Sequence, residues 1–463
     1  MPRTFNRLSS LAGLFLGGLL ALNASAETLS LRLHGSNTLG SKLGPNLLES
    51  FARQQGFVGV ERAATAENEF RVTGLRANGD QFVGVVRAHG TNTGYVDLLA
   101  GNADVWMASR AASEDEAQRA LAIGDLHSPQ QEHVVALDGL AIIVHPNNPI
   151  KEMRVDQVRE AFAGRLTDWS QLGGKAGPIK LYGRDDKSGT FDSFKSMVLS
   201  DGSSLAASTA RFESSTALEK SVVNDPAALG FVGFSYITTS KALAVMATGT
   251  TPIKPDALSV STEDYLLARR LYFYTAAKAS ADVAAFIEFV QSAAGQTVVA
   301  QTGFVAQQIF TAQIEPLPGN PAVYYDVTAN AARISLNFRF RPASSTLDSR
   351  ALRDLERLSQ FMSLPENKHK QVRLAAFSSN ENLAPMMTLI TLNDRVDHLS
   401  QLLATRGVPT SMSRGFMNGA RVAPLDRVDG KVRNERVEVW LIDPHGGVSG
   451  DQVERFWPRP ARG

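Results

Sequence analysis

Residues 311–332, TAQIEPLPGNPAVYYDVTANAA, divide the chain into two regions whose hydrophobic patterns run at different periods. Pro316, Pro318 and Pro321 remove backbone donors, Gly319 loosens the chain, and together they make the stretch read as an interdomain linker. Upstream, short β-type runs alternate with helical ones. Residues 134–144 are almost continuously apolar, 155–162 have helical spacing, 179–182 are short and extended, and 191–198 are helical again. That alternation predicts an α/β unit whose strands are buried on both faces. Downstream, Ile334, Leu336, Phe338 and Phe340 alternate with Arg333, Ser335, Asn337, Arg339 and Arg341, the period of a strand with one core face and one wet face. Leu352, Leu355 and Leu358 predict a helix ending before Pro365, residues 372–377 a strand, and Leu392, Val396, Leu399 and Leu403 a second helix up to Gly407. With Val437, Val439 and Leu441 as a closing strand, residues 333–443 are expected to form a small α+β unit, followed by a tail at 444–463.

Arg3 and Arg7 precede the apolar run 11–22, and Ala24-Ser25-Ala26 offers small residues for cleavage, so residues 1–26 are expected to be an export signal cut after Ala26. The run falls short of the roughly 20 apolar residues that cross a bilayer. A periplasmic or secreted protein beginning at Glu27 is expected. With 47 Lys and Arg against 46 Asp and Glu, the net charge of +1 supplies no field for a polyanion, and nucleic acid is not expected as a partner. The absence of cysteine excludes thiol catalysis, disulfides, zinc-thiolate sites and iron–sulfur clusters. No cofactor or metal is expected: the eight histidines are scattered singly, and no GxGxxG, Walker, HExxH or GxSxG motif is present.

Hydroxyl-rich turns at strand-to-helix junctions carry the chemistry instead. His34-Gly35-Ser36-Asn37-Thr38 follows alternating Leu29, Leu31 and Leu33 and precedes Leu39, Leu43, Leu47 and Phe51 at helical spacing, with Pro45 leaving the helix start open. A turn of this kind aims hydroxyls and unpaired backbone N–H groups at one point, which suits an anion. Gly183-Arg184-Asp185-Asp186-Lys187-Ser188-Gly189-Thr190 precedes Phe191, Phe194 and Val198 on one helical face and adds a planar guanidinium that matches a tetrahedral oxyanion. The alternative is that Ser188 or Thr190 only caps the helix while Arg184 is solvated. A third run, Asp104 to Ser109 and Arg110, ends in a hydroxyl and a cation and is preceded by Gly90-Thr91-Asn92-Thr93-Gly94. Neutral donors with arginine suit holding an oxyanion without reacting with it.

The ordered segments HGSNTLG, NTGYVDLLAGNADVWMASR, LDGLAIIVHPNNPIKEMRVDQVREAFAGRLTDWSQLGG, GRDDKSGTFDSFK, NDPAALGFVGF and EFVQSAAGQTVVAQTGFV resemble the phosphate-binding (PstS-like) proteins of the ABC phosphate importer. The resemblance implies a two-lobed periplasmic binding protein of the type II kind over 27–310, with lobe one at 27–140 and 238–310 and lobe two at 141–237. It further implies inorganic phosphate in the interlobe cleft, an ABC permease as partner, and ligand contacts at Ser36, Thr38, Ser109, Arg110, Arg184, Ser188, Gly189 and Thr190. It departs from the family at Arg110, where well-known importer proteins carry an acidic residue that accepts the ligand's proton, and leaves Asp185 or Asp186 as alternative acceptors.

Residues 334–441 resemble OmpA-type domains that attach envelope proteins to peptidoglycan. The matching pieces are LNFRFRPASSTLDSRALRDLERL, LLATRGV at 402–408, Gly415-Phe416 and NERVEVWL at 434–441. The resemblance implies a peptidoglycan contact at Arg395, association with the cell wall or outer membrane, and Arg436 in the closing strand. The family's ligand-binding aspartate falls near Ser378-Ser379, where losing a charged acceptor costs about 1.5 to 3 kcal/mol, roughly ten- to a hundredfold in affinity. The reading that follows is a non-catalytic phosphate receptor with a wall-associating domain. Its rivals are a phosphatase or phosphotransfer enzyme using Ser188, for which these motifs supply no base or metal, and an envelope adhesin whose anion cleft is vestigial.

Overall fold

The apolar run near residue 140 forms one long strand, Glu132–Val144, about which two lobes are arranged. The computed structural model describes residues 27–444 except 187, 342, 343, 345, 379–383, 418 and 427. The expected export signal at 1–26 and all of the expected tail except Pro444 lie outside the described residues. In chain order the upstream strands are β1 (Thr28–Gly35), β2 (Val58–Ala66), β3 (Glu69–Leu75), β4 (Gln81–Arg87), β5 (Val105–Ala108), β6 (Glu132–Val144), β7 (Glu152–Arg154), β8 (Lys180–Arg184), β9 (Ala210–Phe212), β10 (Ala228–Gly233), β11 (Lys241–Ala242), β12 (Ala244–Met246) and β13 (Ala268–Tyr274).

Hydrogen bonding links them in the order β2-β3-β4-β1-β5-β13-β6-β10-β8-β9. In the first lobe β1 runs parallel to β4 and β5, and β13 runs antiparallel to β5. β6 pairs with β13 along residues 132–139 and with β10 along 140–144, so one strand passes from lobe to lobe. Leu33, Phe51, Val105 and Phe286 lie in the first core, and Phe162, Phe194, Phe231 and Val245 in the second. The expected helix at 155–162 is Val155–Phe162, and Pro45 sits in the first turn of Leu43–Gln54, where its missing N–H costs no helical bond. Residues 241–246 depart from the expected first-lobe segment 238–310, because β11 pairs with the end of β6 and β12 runs parallel to β7. Burial of Leu243 and Val245 in the second core draws this segment there.

Downstream, β14 (Thr311–Ala312), β15 (Ala332–Arg339), β16 (Gln371–Phe377), β17 (Arg414–Phe416) and β18 (Arg436–Ile442) form a second sheet in the order β14-β15-β18-β16-β17. The helices Ser349–Met362 and Pro385–Ala404 pack on it, and Leu355, Leu358, Leu392, Val396 and Leu399 meet Ile334, Leu336 and Phe338 in a third core. Two expectations are corrected here. Residues 311–332 are not an open linker, because they contribute β14 and the helix Ala322–Thr328, whose Tyr324 and Val327 are buried with Phe377, Phe416 and Trp440. Nor is the polar face of β15 wet: Arg333, Ser335, Asn337 and Arg339 are each no more than 4% exposed.

Around Asn337 and Arg339 that face is closed by the upstream unit. Glu263 accepts from Arg270 at 2.5 Å and Arg350 at 2.5 Å and pairs with Arg339 at 3.1 Å. Asp264 accepts from Asn337 at 2.9 Å and lies 3.7 Å from Arg436. Asp348 takes the other side of Arg270 at 2.7 Å, and the Arg433 guanidinium donates to the Leu266 carbonyl at 2.9 Å. Val422 is buried with the second-lobe cluster. Burial alone would push the Glu263 carboxyl up, but Arg270, Arg350 and Arg339 outweigh it and hold the group well below the usual carboxylate range.

Candidate oxyanion site

The first turn stands where β1 ends between two parallel neighbours. Gly35 has φ +135°, and a Cβ there would lie 2.2 Å from the Met107 carbonyl oxygen, so the turn requires glycine. The next N–H, of Ser36, donates to that same carbonyl at 2.9 Å, which fixes Ser36 and Thr38 at the lobe boundary, both buried. Ser109 follows β5. Its hydroxyl lies 3.1 Å from Thr91 Oγ1, and the Trp106 indole holds the Thr91 carbonyl at 2.7 Å, so the Gly90–Gly94 segment supports the third turn from behind.

On the second lobe the helix Gly189–Met197 begins at the expected motif. Ser188 is its N-cap and accepts from the Thr190 N–H at 3.2 Å, leaving the serine hydroxyl proton available to donate. The lobes are closed on each other here: Thr38 Oγ1 donates to the Gly189 carbonyl at 3.2 Å. The structure therefore brings Thr38 of one lobe against Gly189 of the other, with Ser36, Ser188 and Thr190 flanking that contact in sequence.

The two expected arginines are engaged elsewhere. Arg184 donates from Nε to the Phe212 carbonyl at 3.1 Å, from Nη2 to the Glu213 carbonyl at 2.6 Å, and from Nη1 to Ser215 Oγ. Burial draws its pKa down, opposed by Asp185, Tyr236 and Glu213. Arg110 forms a fork with Glu116, both bonds at 2.7 Å, and donates to Asn92 at 2.7 Å. The hydrogen bonds to Glu116 raise its pKa. Arg395, on the downstream helix, donates to Glu435 at 3.1 Å and lies 4.5 Å over the Phe340 ring. Arg436 is buried against Glu438 at 3.0 Å.

A different arginine occupies the cleft. Arg269, on β13, donates to Asp138 Oδ2 at 3.1 Å, to Thr38 Oγ1 at 3.1 Å, to the Ser109 carbonyl at 3.5 Å and to Ser193 Oγ. It thus touches two first-lobe turns, the second-lobe helix and β6 together. Arg269 and Asp138 are register partners; Asp138 interrupts the apolar run of β6, and Arg269 stands with Arg270 at the start of β13, ahead of Leu271-Tyr272-Phe273-Tyr274. A charge facing a charge between two buried runs was the available sequence signal. In the first turn of the second-lobe helix, Asp192 is pushed up by burial, with Arg269 and Lys195 pulling the other way.

Taken together, these groups form a closed, donor-rich cleft centred on one guanidinium, suited to a small tetrahedral anion. The sequence model of the PBP superfamily domain matches residues 24–294. The phosphate-binding protein PstS of Bacillus subtilis is 30% identical over 221 residues, which cover 48% of this chain and 70% of that protein. PstS of Pseudomonas aeruginosa is 28% identical over 239 residues, covering 48% and 73% respectively. Among solved structures, a possible phosphate binding protein from Planctomyces limnophilus shares the fold with a TM-score of 0.50 at 23% identity, covering 61% of this chain and 94% of that one.

Proposed function

Because the chain belongs to the PBP superfamily and carries a PstS-like phosphate-binding domain in its N-terminal part, we propose that it is an exported receptor that captures inorganic phosphate between its lobes for an ABC permease. The curated relatives are named phosphate-binding proteins, a role in which the cleft binds and releases its ligand unchanged. The observation that carries this reading is the Arg269 guanidinium shared among Thr38, Ser109 and Ser193 where the lobes meet. Oriented donors of that kind replace a phosphate's water shell, and closure by a hinge at β6 and β13 completes the shell. Ser36, Thr38, Ser109, Ser188, Gly189 and Thr190 are the proposed contacts. Arg184 and Arg110 join them only by leaving their present partners.

A micromolar Kd needs about −8.2 kcal/mol, and several charge-assisted hydrogen bonds at about 1.5 to 3 kcal/mol each exceed that before ordering costs are subtracted. Isothermal titration of the anion-stripped protein with phosphate is expected to give micromolar or tighter binding. No measurable heat and no competition with labelled phosphate would sink the reading.

The downstream sheet and its two helices support a second part of the proposal, an OmpA-like module that associates the receptor with peptidoglycan. Arg395 is the proposed contact, and it must exchange Glu435 for the wall ligand. Full-length protein is expected to sediment with purified sacculi, more weakly after Arg395→Ala. Sedimentation indistinguishable from a protein-only control would remove the wall-binding role.

A further inference from the structure

The downstream unit is fastened to the upstream one at three places, and the three do not belong to one lobe. On the first lobe, Arg341 donates to the His127 carbonyl and Ser349 to Glu132, whose other oxygen accepts from Tyr274 of β13 at 3.0 Å. At the hinge, just before β13, Arg433 donates to the carbonyls of Tyr265 at 3.2 Å and Leu266 at 2.9 Å, and Asn337 donates to that of Thr262 at 2.9 Å. On the second lobe, the Thr251 N–H donates to the Arg421 carbonyl at 2.9 Å, and Val422, 1% exposed, is buried in the second core. Thr251 belongs to that lobe because Ile253, two residues on, bridges to Val245 of β12.

The segment that reaches the second lobe is braced from behind. Asn434, buried just before β18, accepts from the Val422 N–H at 2.9 Å and donates to the Ala423 carbonyl at 2.6 Å. The Ala420 N–H donates to Asn320 Oδ1 at 2.8 Å. Held on both sides by the body of the downstream unit, residues 420–423 do not follow the second lobe by themselves.

We propose that the downstream unit is a splint across the hinge and that Val422 is its latch, holding the two lobes in the closed arrangement. The inference stands on the two-lobed fold and not on the identity of the ligand. A body fixed to both lobes must give up one attachment when they part about β6 and β13. Release at the hinge or the first lobe would separate buried ion pairs such as Glu263 with Arg339 and Arg270 with Asp348, the costly way to break a contact. Release at the second lobe exposes one valine and one backbone pair that water can solvate. Opening therefore proceeds at Val422, while the downstream unit stays with the first lobe. The attachment that resists opening favours the closed form, in which Thr38 meets Gly189, and a buried valine shifts the closed-to-open ratio by roughly ten- to a hundredfold.

The test is small-angle scattering of the full chain without anion, with titration and stopped-flow release of inorganic phosphate alongside. Val422→Asp places a charge that the second core cannot hold but that water accommodates once the latch is out, so the chain keeps its fold and opens. Its anion-free radius of gyration is expected to exceed that of the wild type and to approach that of Gly189→Ala, in which a Cβ would lie 2.6 Å from the Thr38 Cα and keep the lobes apart. Phosphate is expected to bind Val422→Asp about tenfold or more weakly and to leave it faster. Val422→Ile keeps the plug apolar and is expected to behave as wild type. A wild-type scattering curve in Val422→Asp overturns the latch, whatever the affinity does. Should that variant unfold, Val422→Thr, which keeps the shape and adds one hydroxyl, carries the same expectation at smaller amplitude and the same refutation. Failure of the wild type to take phosphate would refute the receptor reading and leave the scattering comparison standing.

Discussion

Gly189→Ala is expected to weaken phosphate binding by about a hundredfold or more while leaving the unfolding midpoint unchanged. A Cβ at this position would lie 2.6 Å from the Thr38 Cα, 3.1 Å from its Oγ1 and 3.2 Å from its Cβ. The first of these obstacles is the backbone of the opposite lobe, which no rotamer change can move. The lobes must therefore stand apart, and the second-lobe donors lose their reach to a ligand seated on the first. Loss of two charge-assisted hydrogen bonds at about 1.5 to 3 kcal/mol each corresponds to roughly 10²- to 10⁴-fold in Kd. The substitution does not harm the lobe that carries it, because Gly189 opens a helix without a positive φ and alanine is the better helix former there. Calorimetry gives the affinity, and solution scattering with and without phosphate gives the closure. Wild-type affinity in this variant would mean that the lobes need not meet at Thr38 for binding.

The donors in that contact were legible because hydroxyls and glycine clustered where a strand period changed to a helical one. The polar residues inside the buried strands were not. Asp138 interrupts an apolar run, and pattern alone cannot separate a ligand contact from a satisfied core polar group until Arg269 is seen opposite it. Arg110 and Arg184 illustrate the reverse limit. Their residue type suited an oxyanion, yet Glu116, six residues on, takes the first, and two carbonyls and a hydroxyl in residues 212–215 take the second. A guanidinium goes to whichever acceptors the tertiary fold supplies, and spacing along the chain does not specify them.

The same distinction governs the downstream unit. Alternation in β15 gave the strand and the face of its third core correctly, since a period of two depends only on the pleat. It could not tell water from a complementary surface: Arg333 turns to the carbonyls of Ile334, Leu336 and Val439, whereas Asn337 and Arg339 are polar on a face buried against another unit. Their partners, Glu263 and Asp264, follow a short helix, with Glu263 at φ +60°, in a segment with no periodic pattern. Pro318-Gly319 likewise marks a real turn and Pro321 precedes a helix, while Tyr324 and Val327 determine that the segment packs rather than swings free.

Glu263→Ala is expected to lower the unfolding free energy by about 3 to 5 kcal/mol, the usual cost of removing one partner from a buried ionic cluster. One carboxylate serves Arg270 from the upstream unit and Arg339 and Arg350 from the downstream one. Its loss leaves buried guanidinium groups facing a cavity. Asp348 still pairs with Arg270, Asp354 lies 3.5 Å from Arg350, and Asp264 lies 3.8 Å from Arg339, so the cluster is weakened rather than emptied. Glu263→Gln keeps the volume and one acceptor oxygen and should fall between wild type and alanine. Denaturant unfolding followed by tryptophan fluorescence reads the effect, in variants that keep only Trp440 of the downstream sheet or only Trp106 of the first lobe among the chain's four tryptophans. Because the cluster joins the two units, both signals are expected to shift together in the wild type and to separate in the alanine variant. A change below about 1 kcal/mol would mean that the three arginines are satisfied without Glu263, and that apolar burial rather than charge holds the units together.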